Sequence, residues 1–178
     1  MKPKLYVDFD GVILDTINEA FSMMDELGLD HTNRREVDYF FTHSVDFEKL
    51  FNRSRIINDS VDKVKYLQAC NEFQEVCILT KLSGNYGEER VKRGFLHDNL
   101  SEIRVITLAY NLFKDCVVNA EGNILVDDEM RNITRWNNAR GIGIHFLQGE
   151  CDLKHDIVSD LIDIVNTDGA KRLLKTRK

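Results

Sequence analysis

The sequence predicts an α/β protein, a parallel sheet flanked by helices with a small helical segment inserted after the first strand. Three observations carry this. Short, uninterrupted apolar runs recur along the chain, as expected of strands covered on both faces. Stretches with helix-like apolar spacing alternate with them, and a β–α alternation implies a parallel, Rossmann-like sheet. One connection is far longer than the rest: 67 residues lie between Asp8 and Val76, more than a single crossover needs.

The predicted strands are Leu5 to Asp8, Val76 to Thr80, Ile103 to Thr107, Ile124 to Asp127 and Ile142 to Phe146. Helices are expected over Asp62 to Phe73, Glu88 to Leu100 and Met130 to Ala139, with another over Asp156 to Val165 after the last strand. Inside the long connection, Ala20 to Leu27, Val37 to Phe41 and Val45 to Phe51 carry helical spacing. These divide the chain into an α/β core, residues 1–16 and 75–178, and a helical cap, residues 17–74, lying over the carboxyl ends of the strands. The single proline, Pro3, and the lack of any Gly/Ser linker or repeat leave the boundaries to this pattern alone.

With 178 residues, one domain with a proper core is the default. No apolar run approaches the roughly 20 residues of a membrane span, and no secretory h-region follows Met1, so a cytoplasmic protein is expected. A net charge of −6 argues against extended nucleic-acid contact, which needs clustered cations. The basic run Lys171 to Lys178 is expected to be the solvated end of a last helix, where cations suit the dipole. Cys70, Cys77, Cys116 and Cys151 show no metal-ligand spacing and are expected to be buried thiols.

The chemistry lies at the strand ends, where open α/β sheets form their sites. Asp8 and Asp10 end the first strand, Thr80 the second, and Asp127 with Asp128 the fourth. Each has a plain alternative as turn or cap chemistry. Together they crowd four acids at one edge, a conflict that a hard divalent cation such as Mg²⁺ resolves. Asp8, Asp10 through its backbone carbonyl, and the Asp127–Asp128 pair are the candidate metal ligands.

The motifs Asp8-Phe-Asp10-Gly-Val12, Cys77-Ile-Leu-Thr80 and Ile124-Leu-Val-Asp127-Asp128-Glu-Met-Arg-Asn132-Ile, in this order, resemble those of the haloacid dehalogenase (HAD) superfamily of phosphohydrolases. The resemblance spans roughly residues 4 to 147. It implies an HAD-like core and a Mg²⁺-dependent phosphomonoesterase in which Asp8 attacks phosphorus to form an aspartyl-phosphate and Asp10 moves the leaving-group proton. The dehalogenase branch lacks that second acid. Gly11 would let the backbone turn toward the phosphate, with Thr80 and Lys81 contacting it. A lysine completes such a site; Lys92 is the favoured candidate and Lys114 the other.

Within that superfamily the pattern is similar to the 5′(3′)-deoxyribonucleotidases and their bacterial and phage relatives, in which a lysine at the Lys114 position also contacts phosphate. A nucleoside monophosphate substrate follows, with Tyr39, Phe40 and Phe41 in the cap as the candidate base-stacking cluster. That family's cap tryptophans have no counterpart, since Trp136 follows the acidic pair. The alternatives are another small phosphate ester such as a sugar phosphate, a polynucleotide 3′-phosphate end, or a non-catalytic phosphoacceptor that keeps the acidic pocket. A homodimer is compatible with all of these.

Overall fold

In a computed structural model describing residues 2–175, six strands form one parallel sheet in the order β3-β2-β1-β4-β5-β6. They are β1 (Lys4–Val7), β2 (Glu75–Leu82), β3 (Arg104–Ala109), β4 (Ile124–Asp127), β5 (Ile142–Phe146) and β6 (Ile157–Val158). The helices are α1 (Thr16–Glu26), α2 (Arg34–Tyr39), α3 (Phe47–Arg53), α4 (Ser60–Ala69), α5 (Tyr86–Leu100), α6 (Lys114–Val117), α7 (Met130–Asn138) and α8 (Asp168–Lys175).

Strand parity sorts side chains onto two faces. Leu5, Val7, Val76, Ile78, Ile124 and Val126 point into the larger core, with Val64 and Leu67 of α4 and Leu96 and Leu100 of α5. Tyr6, Cys77, Leu79 and Leu125 point to the opposite face, where Trp136 of α7 covers them. Trp136 is fully buried and meets Tyr6 edge-on at 5.4 Å, so the only tryptophan is core rather than ligand contact.

The β1–β2 connection holds α1 to α4. The last of these packs on β2 and α5, against the sheet, whereas α3 contacts α1 and α5. Between α2 and α3 the backbone widens into one π turn, Phe40–Ser44. It buries Phe40 completely and leaves Tyr39 outside, about half exposed and stacked on His43.

The chain departs from the predicted elements after β5. The helix expected over Asp156 to Val165 is replaced by β6 between two 3₁₀ turns, Leu153–His155 and Leu161–Asn166. Asp156 adopts a left-handed φ of 56°, the β-branched pair Ile157–Val158 extends the sheet beside His145 and Phe146, and the Asp160 side chain caps the turn by accepting from Ile162 N–H. Of the cysteines only Cys77 is buried; Cys116 and Cys151 are exposed, on a single-turn helix and a loop, and all four are free. The last three residues of the basic C-terminal run lie outside the described residues. Among the described residues no helix is long and apolar enough to cross a membrane.

Candidate active site

Asp8 follows β1 directly, its N–H extending the parallel ladder to Val126 O (2.9 Å). Asp127 is the last residue of β4, so adjacent parallel strands deliver both carboxylates to one edge. Asp8, Asp127 and Asp128 each present an oxygen, all within 4.8 Å of one another. Gly11 makes room for this. Its φ is +72°, and a Cβ there would run into the Asp128 carboxylate.

Each acid has its own neighbours. Lys114, itself buried, bridges Asp8 Oδ1 (2.8 Å) and Asp127 Oδ2 (2.6 Å). Asp127 also accepts from Asn132 Nδ2 at both oxygens (3.0 Å each) and from Glu129 N–H (2.9 Å). The Phe9 N–H donates to Asp8 Oδ1 (2.7 Å). Asp10 turns away from this group: Lys92 Nζ donates to its Oδ2 (2.6 Å) and Thr16 Oγ1 to its Oδ1 (2.9 Å). Thus the ammonium on Asp8 is that of Lys114, and Lys92 instead joins Asp10 to Glu88 Oε1 (3.0 Å). Asp128 has no ion-pair partner among the described residues, although His145 Nε2–H holds its backbone carbonyl (2.9 Å).

This arrangement is electrostatically loaded. Burial pushes the Asp8 carboxyl up to about 8, opposed by Lys114 and reinforced by Asp127, Asp128 and Asp10. Burial and then the Asp127 charge push Asp128 up to about 7. Burial pulls Lys114 down, but Asp8 and Asp127 outweigh it and the ammonium is held above its ordinary value; Asp10 and Glu88 do the same for Lys92. Two carboxyls that resist ionisation while a third lies 4.8 Å or less away, all with hard oxygen donors, fit a divalent cation such as Mg²⁺. Asp8 and Asp128 are the open pair, since Asp127 is saturated by Lys114, Asn132 and Glu129.

Three cavities meet at these acids, and Ile17 lines all of them. A cleft of about 430 Å³ holds Asp8, Asp10 and Asp128, with Lys81, Glu129 and Asn132 on its wall. A second of about 250 Å³ runs past Gly11 and Asp128 to Asn18 and Gln148. The third, of about 160 Å³, is mostly apolar: Phe41, Phe47, Leu50 and Phe51 enclose it, and Asp10, Thr16 and Glu88 close one side. Of the three cap aromatics singled out in sequence, Phe41 is the one that lines these three cavities. Phe40 is fully buried and Tyr39 lies outside. Thr80 is also fully buried, its hydroxyl 3.4 Å from Lys92 Nζ.

Sequence reasoning did not single out Phe47, Phe51, Ile17, Glu88 or Asp15. Buried Asp15 pairs with Arg55 (2.8 Å), which also reaches Gln148 Oε1 (3.0 Å), tying the start of the insertion to its return and to the loop after β5. Spacing does carry a signal for Asn132, which stands within the quoted acidic motif of the fourth strand, and for Asp15, three residues past the first motif; the aromatic lining depends on which face of α3 turns inward.

No protein-family model matches the chain, and no curated protein matches it in sequence. Its structure is similar to an HAD-superfamily hydrolase of subfamily IA, variant 1, from Geobacter sulfurreducens, with a TM-score of 0.61 and 12% identity over 93% of this chain and 99% of that one. A haloacid dehalogenase-like family hydrolase from Xanthomonas campestris gives 0.59 and 12% over 99% and 93%. The HAD-hydrolase YfnB from Bacillus subtilis, in its magnesium-bound form, gives 0.57 and 11% over 93% and 97%. The six-stranded parallel sheet with its flanking helices is therefore the HAD-like Rossmann fold of these hydrolases.

Proposed function

We propose that the protein is a Mg²⁺-dependent phosphomonoesterase working through an aspartyl-phosphate on Asp8. The observation that carries this is the position of Asp10. It lines both the acidic cleft and the apolar cavity beside it, where a leaving group's oxygen would stand between the phosphate and the rest of the substrate. Asp8, with Lys114 on one oxygen, is the nucleophile. Asp10, its rotamer fixed by Lys92 and Thr16, gives a proton to the departing alkoxide and later takes one from the attacking water. Lys81 on the cleft wall contacts the phosphate, Gly11 keeps its approach open, and Thr80 supports Lys92. Asp8, Asp128 and the Asp10 backbone carbonyl hold Mg²⁺, with Asp127 positioning Lys114. When bound, Mg²⁺ offsets the charge on the phosphate and keeps Asp8 ionised. Magnesium in the structurally similar YfnB supports this choice of ion.

The substrate reading is a (deoxy)nucleoside monophosphate. Its support is the cavity enclosed by Phe41, Phe47 and Phe51 beside Asp10, since aromatic side chains stack on bases. A sugar phosphate is the second reading, favoured by the amides of Asn18 and Gln148 in the cavity past Gly11. Release of inorganic phosphate from a panel of nucleoside monophosphates, sugar phosphates and p-nitrophenyl phosphate, with and without Mg²⁺, decides between them. Nucleotides are expected to lead; equal rates across the panel defeat the nucleotide assignment, and no release from any ester defeats the phosphatase.

A further inference from the structure

Beside the acidic cleft the cations gather on one aromatic ring. Phe113, half-buried and immediately before Lys114, has Lys81 Nζ at 6.0 Å, Arg131 Cζ at 4.7 Å and Arg135 Cζ at 3.8 Å from its centroid. The three charges are not equivalent. Arg135 is tied to Asp115 through two hydrogen bonds of 2.9 and 2.8 Å. Lys81 lines the cleft and leans on Glu129 and Asn132 at 3.2 Å each. Arg131 is exposed and pairs with no carboxylate among the described residues. Cation–π contact with Phe113 restricts a side chain that would otherwise roam, one turn from the acids because α7 starts two residues after Asp128. In a chain of net charge −6, a restrained guanidinium with its fork of donors unspent is suited to a bidentate anion.

We propose that Arg131, with Phe113 beneath it and Lys81 toward the cleft, is a subsite for a second phosphate, so that the favoured substrates are small bisphosphorylated molecules such as nucleoside 3′,5′-bisphosphates. The scissile phosphate occupies the cleft of Asp8, Asp10 and Asp128, and the second lies outward past Lys81. This rests on the phosphatase reading. A polynucleotide end presents the same chemistry, but Asp115 on Arg135 and Glu129 on Lys81, with Asp128 in the cleft, leave no continuous cationic track for a longer backbone.

The test measures phosphate release from a nucleoside 3′,5′-bisphosphate, the matched 3′- and 5′-monophosphates, an oligonucleotide 3′-phosphate and p-nitrophenyl phosphate, in wild type, Arg131→Gln and Arg131→Lys. The bisphosphate is expected to exceed the better monophosphate in kcat/KM by about tenfold or more, the worth of a charge-assisted contact. Arg131→Gln should erase that margin through KM, with p-nitrophenyl phosphate turnover unchanged, and Arg131→Lys should restore part of it. No margin in wild type, a margin that survives Arg131→Gln, or a preference for the oligonucleotide overturns the subsite. If no ester is hydrolysed, the phosphatase reading fails separately, and calorimetric binding of the bisphosphate to wild type and Arg131→Gln still decides the subsite: equal affinity refutes it.

Discussion

Lys114 is the residue on which the acidic site depends most. Its buried ammonium faces two carboxylates, and removing one partner of a buried ionic group leaves the others uncompensated, typically at about 3–5 kcal/mol. Lys114→Met is therefore expected to lower the unfolding free energy by roughly 3 kcal/mol at pH 8, read by urea denaturation. The penalty should shrink toward pH 5. Asp8 is pushed up to about 8 and Asp128 up to about 7 even with Lys114 holding both down; without the ammonium both rise further above their unfolded values, so the folded variant gains more from proton uptake on falling pH than wild type does. A penalty that does not change between pH 8 and pH 5 contradicts the picture. The acids themselves were legible in sequence because strand ends in a parallel sheet converge. Which lysine meets which acid was not. Thr80 lies on the α5 side of the sheet with Lys92, while Lys114 enters from α6, and that depends on face and helix placement rather than on spacing.

Among the elements, α3 joins the insertion to the Asp8–Asp10 segment. Phe51 stacks on Phe9 (5.7 Å, 19° between planes), the residue between Asp8 and Asp10, and Phe9 also lies 5.4 Å from Lys92 Nζ. Truncating a buried phenylalanine costs about 3–5 kcal/mol. Phe51→Ala is expected at the low end of that range, because Phe51 also borders a cavity, and to lower turnover as Phe9 loosens. Urea unfolding and kcat measured on one preparation check both; a loss under about 1 kcal/mol with normal kcat rules out the coupling. The main strands and α5 and α7 were readable because apolar runs and helical spacing are long there. Elements set by tertiary context escaped, among them the two-residue β6 and the π turn that divides Tyr39, Phe40 and Phe41 among solvent, core and cavity.

For the whole molecule, the parallel sheet gathers acids from β1 and β4, the helices on its two sides bring lysines to them, and the insertion closes the leaving-group side with aromatic rings. In the proposed mechanism labour is divided: Asp8 and Asp128 hold Mg²⁺ and Asp8 attacks, while the Asp10 side chain only moves protons. Asp10→Asn separates these roles, being close in shape and outside the Asp8, Asp127 and Asp128 cluster. The measurement is Mg²⁺-dependent phosphate release by wild type and Asp10→Asn, taken with the Mg²⁺-induced rise in Tm of each. The expected result is an equal rise in Tm and a fall in kcat of about 10²-fold or more, the usual worth of general acid–base catalysis. Wild-type turnover in Asp10→Asn, or loss of the Mg²⁺ response along with turnover, contradicts it.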